Sequence, residues 1–283
     1  MAVNLLTFAT WRYEKSRQRL VRSAQKFGGF HCWNYSDKEF RTTEIYARNP
    51  SITRVPRGAG LWLWKSYYIL QVLKELNDGD PLIYLDAGIE IIAPLGPLLA
   101  LTEHNKGIAL FKVHERLNRH WTKRDCFALM DCDSPEYRDT EQTMSGIIVL
   151  RKSPFIVDLV QEWLQFNSDV RIVSDLPNTC GLPNYDGFVA HRHDQSILNN
   201  LRIKYRIAGY TDPTQFGEPY RANAVPGVDD YPALLNLHRE RLPSWRTALK
   251  LAVTDRGRFT QGVRQHIRRI IGLDNSKRGS SSD

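Results

Sequence analysis

The chain has 283 residues, 42% apolar and 25% charged, a balance that predicts a packed core. No window approaches 18 uninterrupted apolar residues, which excludes a spanning helix by hydropathy. The net charge of +8 is concentrated from His238 onward, where eleven Lys and Arg face four acids; the nearly neutral remainder argues against a nucleic-acid-binding core.

The opening "MAVNLLTFATWRYEKS" has neither a basic stretch nor a long apolar one, so no secretory signal is expected. Cys32, Cys126, Cys132 and Cys180 show no CxxC pairing and no metal-ligand spacing. Free thiols in a reducing, cytoplasmic setting are expected. "VNLLTFAT" (3–10) reads as a buried strand, and 11–28 as a helix closed by Gly28 and Gly29. The alternation of "FHCWNYS" (30–36) predicts a second strand. A glycine turn at 57–60 leads into a helix ending near Asn77–Gly79, and a strand over 82–86 follows.

Strand 107–113 comes next, then a segment, 114–145, with no clean assignment. Strand 146–153, a helix over 154–167 opened by proline, a loop over 168–190 and a helix over 193–205 complete the pattern. Alternating strands and helices without a repeat predict one α/β domain over 1–243 with a mostly parallel sheet. Over 244–272 apolar residues share one helical face with basic residues elsewhere, so 244–283 reads as a basic amphipathic helix and a disordered end. Such a helix suits an anionic membrane surface or the protein's own domain.

The run "LIYLDAGIEI" (82–91) places Asp86 at the carboxyl edge of a strand, where open α/β sheets bind ligands. A carboxylate there can hold a divalent cation or a sugar hydroxyl, or can simply serve a turn. Gly88 stands where a second acid would complete a two-carboxylate motif. Lys65 follows two tryptophans, Trp62 and Trp64, which implies partial burial, and "GAG" (58–60) lacks the third glycine of a dinucleotide fingerprint. In "AHRHDQSILNN" (190–200), His191, His193 and Asp194 could start a zinc site, but no further His or Cys cluster completes one. Asp194 could equally cap the helix that follows, with the histidines as satisfied core groups.

These elements together resemble GT-A glycosyltransferases. "LIYLDAGIEI" looks like the strand-plus-DXD element of the lipopolysaccharide galactosyltransferase and glycogenin type. Bacterial and viral polysaccharide glycosyltransferase-like sequences are closer still. They share, in order, Gly58, Gly60, Trp62, Trp64 and Lys65; Tyr84, Asp86, Ala87 and Gly88; Thr122, Lys123, Arg124 and Asp125; Gln142 and Gly146; and His191 through Ser196. Ser66 and Ser145 depart from the expected proline and alanine.

The resemblance implies a GT-A, Rossmann-like α/β fold and transfer of a sugar from a nucleotide-diphospho-sugar, expected to be a UDP-sugar, to a glycan hydroxyl. It implies catalytic roles for Asp194 and Gln195. Thr7, Thr10, Tyr13, Lys65, Tyr84, Asp86, Ala87, Gly88, Lys123 and Arg124 become donor contacts. Trp64, Asp139, Gln142, His191 and His193 become acceptor contacts, and a Mn²⁺ or Mg²⁺ ion is expected on Asp86 with His238. A nucleotide- or glycan-binding protein without catalysis, and a membrane-surface scaffold acting through the tail, are the competing readings.

Overall fold

The structure is a computed structural model and describes residues 3–238; the expected basic tail over 244–283 lies outside the described residues. β1 (Asn4–Ala9) is buried at every position, because layers cover both of its faces. A short 3₁₀ turn, Trp11–Tyr13, leads into α1 (Glu14–Gly28), which ends where Gly29 turns left-handed at φ 58°. β2 (His31–Ser36) lies at the sheet edge and has no fully buried residue; Trp33 and Tyr35 pack toward one face of the sheet and Cys32 toward the other. α2 (Leu63–Glu75) then leads to β3 (Pro81–Leu85), buried throughout, and to the short β4 (Ile89–Ile91).

β5 (Ile108–Leu117) and β6 (Glu141–Arg151) form the longest pairing. α3 (Pro154–Asn167) starts at Ser153, whose hydroxyl accepts from the Ile156 N–H, with Pro154 in the first turn. α4 (Val170–Val173), α5 (Asp194–Lys204), β7 (Gly209–Tyr210) and β8 (Leu235–Leu237) follow.

The six-stranded sheet has the order β2-β1-β3-β6-β5-β7, with β6 antiparallel to both neighbours and the other pairings parallel. This is the expected mostly parallel α/β sheet. One face packs on α2, α3 and α5 through Leu6, Tyr84, Leu110, Ile148, Trp163 and Ile197. The other packs on α1 and β4 through Leu5, Ile83, Val149, Leu20 and Ile89. β4 pairs antiparallel with β8 beside the main sheet, a two-stranded ribbon that the sequence pattern does not announce.

The unassigned segment 114–145 resolves into the end of β5, short helices at Asn118–Trp121, Arg124–Ala128 and Pro135–Arg138, and the start of β6. β6 therefore begins at Glu141 and not at 146. Its register contains a large irregularity: Leu110 of β5 faces Ile148, while Lys112 faces Thr143. Residues 144–147 of β6 thus lose their register with β5 at the sheet's carboxyl edge, while Ile147 still pairs with Leu85 of β3, a distortion suited to re-aiming side chains near a site. All four cysteines are free, as expected, and no described helix is long and apolar enough to cross a membrane.

Candidate functional site

The site begins with the backbone before α2. Five consecutive residues, Gly58 to Trp62, have positive φ, from 48° at Leu61 to 96° at Gly60. Ala59, Leu61 and Trp62 each pay roughly 1–2 kcal/mol for that left-handed conformation. Gly60 is required twice over, since a Cβ there would also stand 3.0 Å from the Thr53 backbone. The turn is held by the Trp64 indole N–H donating to the Gly58 carbonyl at 2.8 Å and by burial of Leu61, Leu63 and Trp64. It drives Lys65, in the first turn of α2, under the sheet edge.

There Lys65 meets two carboxylates. Its Nζ lies 3.0 Å from Asp194 Oδ2 and 3.5 Å from Asp86 Oδ1, and donates to the Ser145 carbonyl at 3.0 Å and hydroxyl at 3.2 Å. The Lys65 side chain is 2% exposed and Asp194 4%, whereas Asp86 is 40% exposed. Asp86 is thus the one member of the triad that faces solvent. Burial works against the Lys65 charge, but Asp194 and Asp86 outweigh it and hold its pKa above the ordinary value. Burial pushes the Asp194 carboxyl up, against the pull of Lys65. Burial and then Asp86 push the Tyr84 phenol well above its usual range, so it remains an O–H donor to Asp86.

The irregular stretch of β6 completes this corner. It brings Ser145 to Lys65, and the Asp86 N–H donates to the Gly146 carbonyl at 2.9 Å. A Cβ on Gly146 would stand 2.9 Å from Asp86 Oδ2, so glycine leaves the space that the carboxylate fills. Asp194 is not the cap of α5: His193 occupies that position, at φ 51° and ψ −120°, and Asp194 is the first helical residue. The ring of His193 stacks on Trp62 at 5.3 Å, so two residues of strained backbone support each other.

Next to Asp194, the partly exposed Gln195 donates through Nε2 to Gln142 Oε1 at 2.9 Å. Gln142 donates to Asn118 at 2.7 Å and Thr122 at 2.9 Å, and Asn118 donates to Asn200 at 3.0 Å. These inner groups are fully buried and mutually bonded, so they fix Gln195 in one orientation.

The other predicted residues are more dispersed. Thr10 and Tyr13 are partly exposed at the end of β1. Thr7 is fully buried, and its hydroxyl has no hydrogen-bond partner among the described residues. Trp64 is buried and stacks on Phe8 at 3.8 Å. Lys123 donates to the Leu176 carbonyl at 2.7 Å, and Arg124 pairs with Asp133 at 2.9 Å and lies over Tyr185 at 4.0 Å. Asp125 accepts from the Thr179 and Cys180 N–H groups, each at 2.8 Å. "TKRD" therefore pins the 174–190 loop. Asp139 pairs with Arg119. The histidine rings bond carbonyls of α4, His191 to Ile172 at 2.9 Å and His193 to Val173 at 2.7 Å. Burial depresses the pKa of both, His191 the further.

The ribbon of β4 and β8 brings His238 to the motif: its N–H donates to the Gly88 carbonyl at 2.6 Å. Its Nε2, however, lies 3.0 Å from Glu90 and 2.8 Å from the Asn236 amide. Ala87 is buried, and Gly88 supplies no carboxylate. Among the described residues no three His, Cys, Asp or Glu side chains converge as a metal site. Asp86 is already ion-paired with Lys65. A divalent ion on Asp86 Oδ1 would lie within about 6 Å of that ammonium, a repulsion of about 6 kcal/mol at an effective dielectric of 20, less on the solvent side. The described residues around Asp86 do not fit a protein-held divalent cation.

A further pair of cations lies nearby. The guanidiniums of Arg116 and Arg192 lie 4.6 and 4.3 Å from the Trp121 ring. The Trp121 carbonyl accepts from the Ser196 hydroxyl at 2.9 Å, joining this cluster to the residue after Gln195. Sequence reading missed it, because its members come from β5, a short helix and the loop before α5. The one local signal was Arg192 inside the HRHDQS motif.

No protein-family model matches the chain, and no curated protein matches it in sequence. Solved structures do. Mouse xyloside xylosyltransferase 1 is similar at 12% identity over 86% of this chain and 100% of its own, with a TM-score of 0.44. The WbbM bifunctional glycosyltransferase is similar at 13% identity over 84% of this chain and 46% of its own, TM-score 0.48. An active-site mutant of LgtC is similar at 12% identity over 98% of both chains, TM-score 0.44. At these values the functional argument rests on the chain's own residues.

Proposed function

We propose that the chain is a glycosyltransferase that moves a sugar from a nucleotide-diphospho-sugar, a UDP-sugar in the first instance, to a glycan hydroxyl. One observation carries this reading: a solvent-facing carboxylate, Asp86, is anchored by a buried Lys65–Asp194 pair at the sheet's carboxyl edge, beside the fixed amide of Gln195. The motif resemblance supports it.

A rigidly held carboxylate is suited to accept hydrogen bonds from sugar hydroxyls, and Gln195 offers an amide oxygen to the donor sugar. In the reaction the bond from the anomeric carbon to the diphosphate oxygen breaks, and its electron pair leaves with the nucleoside diphosphate. The acceptor oxygen bonds to that carbon, and its proton passes to the departing diphosphate. Lys65 and Asp194 hold Asp86 and the start of α5 in place; being buried, they act as positioning groups. The partly exposed Thr10 and Tyr13 at the end of β1 are suited to the nucleoside.

The test is donor hydrolysis and transfer measured over a panel of nucleotide sugars and oligosaccharide acceptors. Asp86→Asn and Gln195→Ala are expected to lose at least about 100-fold in kcat, the scale of a lost transition-state contact. Full activity in both variants would overturn the site assignment. No turnover of any donor by the unaltered chain would overturn the function.

A further inference from the structure

The glycosyl-transfer reading needs positive charge near the departing diphosphate. A divalent ion is one source, fixed cations another. Three features on this sheet edge bear on which applies. Asp86 shares its charge with Lys65, which also binds Asp194 and Ser145 and so occupies the space between the two carboxylates. Gly88 offers only a backbone carbonyl, and that accepts from His238. His238 engages Glu90 and Asn236 through Nε2. Against this shortage of metal ligands stand two guanidiniums, Arg116 and Arg192, gathered on Trp121 next to α5.

We propose that the donor site works without a divalent cation: Lys65 takes the place of the ion at Asp86, and Arg116 with Arg192 receives the diphosphate. Guanidiniums suit this task because their planar fork matches phosphate oxygens in pairs. Trp121 orients them by stacking, so less conformational freedom is lost when the anion arrives. The proposal rests on the glycosyltransferase reading but can fail separately from it.

The experiment uses the full chain and calorimetric titration with UDP, GDP, ADP and CDP, each in excess EDTA and in Mn²⁺. Donor turnover is followed under the same two conditions. The expected result is that one nucleotide binds with affinities within about twofold in EDTA and Mn²⁺, and that turnover persists in EDTA. Arg116→Ala, at an exposed position where folding is not at stake, is expected to weaken that nucleotide about tenfold and to reduce the salt dependence of binding. Gly88→Asp, which restores a second acid, is expected to acquire Mn²⁺ binding visible by electron paramagnetic resonance. Binding or turnover that appears only with Mn²⁺ overturns the metal-free proposal and leaves the glycosyltransferase standing. Unchanged affinity in Arg116→Ala removes the arginine pair from the diphosphate. Absence of binding for all four nucleotides under both conditions overturns both readings.

Discussion

Replacing Lys65 by methionine tests whether the buried triad is an ion pair that the fold depends on. Lys65 and Asp194 are 2% and 4% exposed and 3.0 Å apart, so losing the ammonium leaves a buried carboxylate without its counter-ion. Breaking a buried pair from one side costs about 3–5 kcal/mol. Asp86 adds little, because its open carboxylate can be hydrated; an exposed pair is worth under about 1 kcal/mol. Lys65→Met is therefore expected to lose about 4 kcal/mol in urea unfolding followed by circular dichroism. The double variant Lys65→Met with Asp194→Leu replaces both charges by apolar groups of similar size and should recover at least about 2 kcal/mol of that loss. The pH dependence is a second readout. Without Lys65, burial of Asp194 is unopposed and its folded-state pKa rises further above the unfolded value. A group raised in this way contributes stability at low pH and loses it as pH rises through the folded value. The gap between Lys65→Met and the unaltered chain should narrow as pH falls from 8 to 5. A gap below about 1 kcal/mol at pH 8, an additive double variant or a gap independent of pH would refute the argument.

Two further outcomes follow from the same geometry. In Gly146→Ala the new methyl group would stand 2.9 Å from Asp86 Oδ2, so the carboxylate must shift. The cost in stability should be about 1–3 kcal/mol, while donor turnover falls at least about tenfold; equal turnover would show that the placement of Asp86 is not critical. His191 and His193 are both held neutral by burial, so the unfolded chain binds their protons first as the solution is acidified. Their contribution is present above about pH 6.5 and is lost as pH falls through the depressed folded values. The unaltered chain is therefore expected to lose stability as pH falls from about 7 to about 5.5, and His191→Gln should remove the His191 part of that slope in urea titrations.

The sheet was largely legible because its central strands obey a simple rule. "NLLTFA" and "PLIYL" are buried along their whole length and apolar apart from Asn4 and Thr7, since helices or the β4–β8 ribbon cover both faces. Segment 114–145 obeys no such rule. Its buried positions are polar, among them Asn118, Thr122 and Gln142, and they satisfy one another and Asn200 across the fold. A hydrophobic periodicity reads such residues as loop, because their partners come from distant elements. The same limit applied to "TKRD", where a basic, exposed-looking motif turned out to anchor a loop through buried Lys123 and Asp125.

Asp86 was legible for a different reason. A carboxylate ending a buried strand is costly unless something nearby accounts for it, so the strand itself flagged the position. What accounts for it could not be read locally. The tryptophans before Lys65 mark it as partly buried but not what it meets; the left-handed turn at 58–62 and the irregular register of β6 over 144–147 bring it beneath Asp86. Both features are strained or irregular backbone, which residue propensities do not describe but which tends to gather where a site must be held. Gly88 then acquires a meaning beyond a missing acid. With Lys65 already set between Asp86 and Asp194, a second carboxylate at position 88 would add negative charge to a corner whose buried cation is fully engaged. Glycine at that position and lysine at position 65 are two parts of one electrostatic arrangement, and the Gly88→Asp variant is the point at which it can be taken apart.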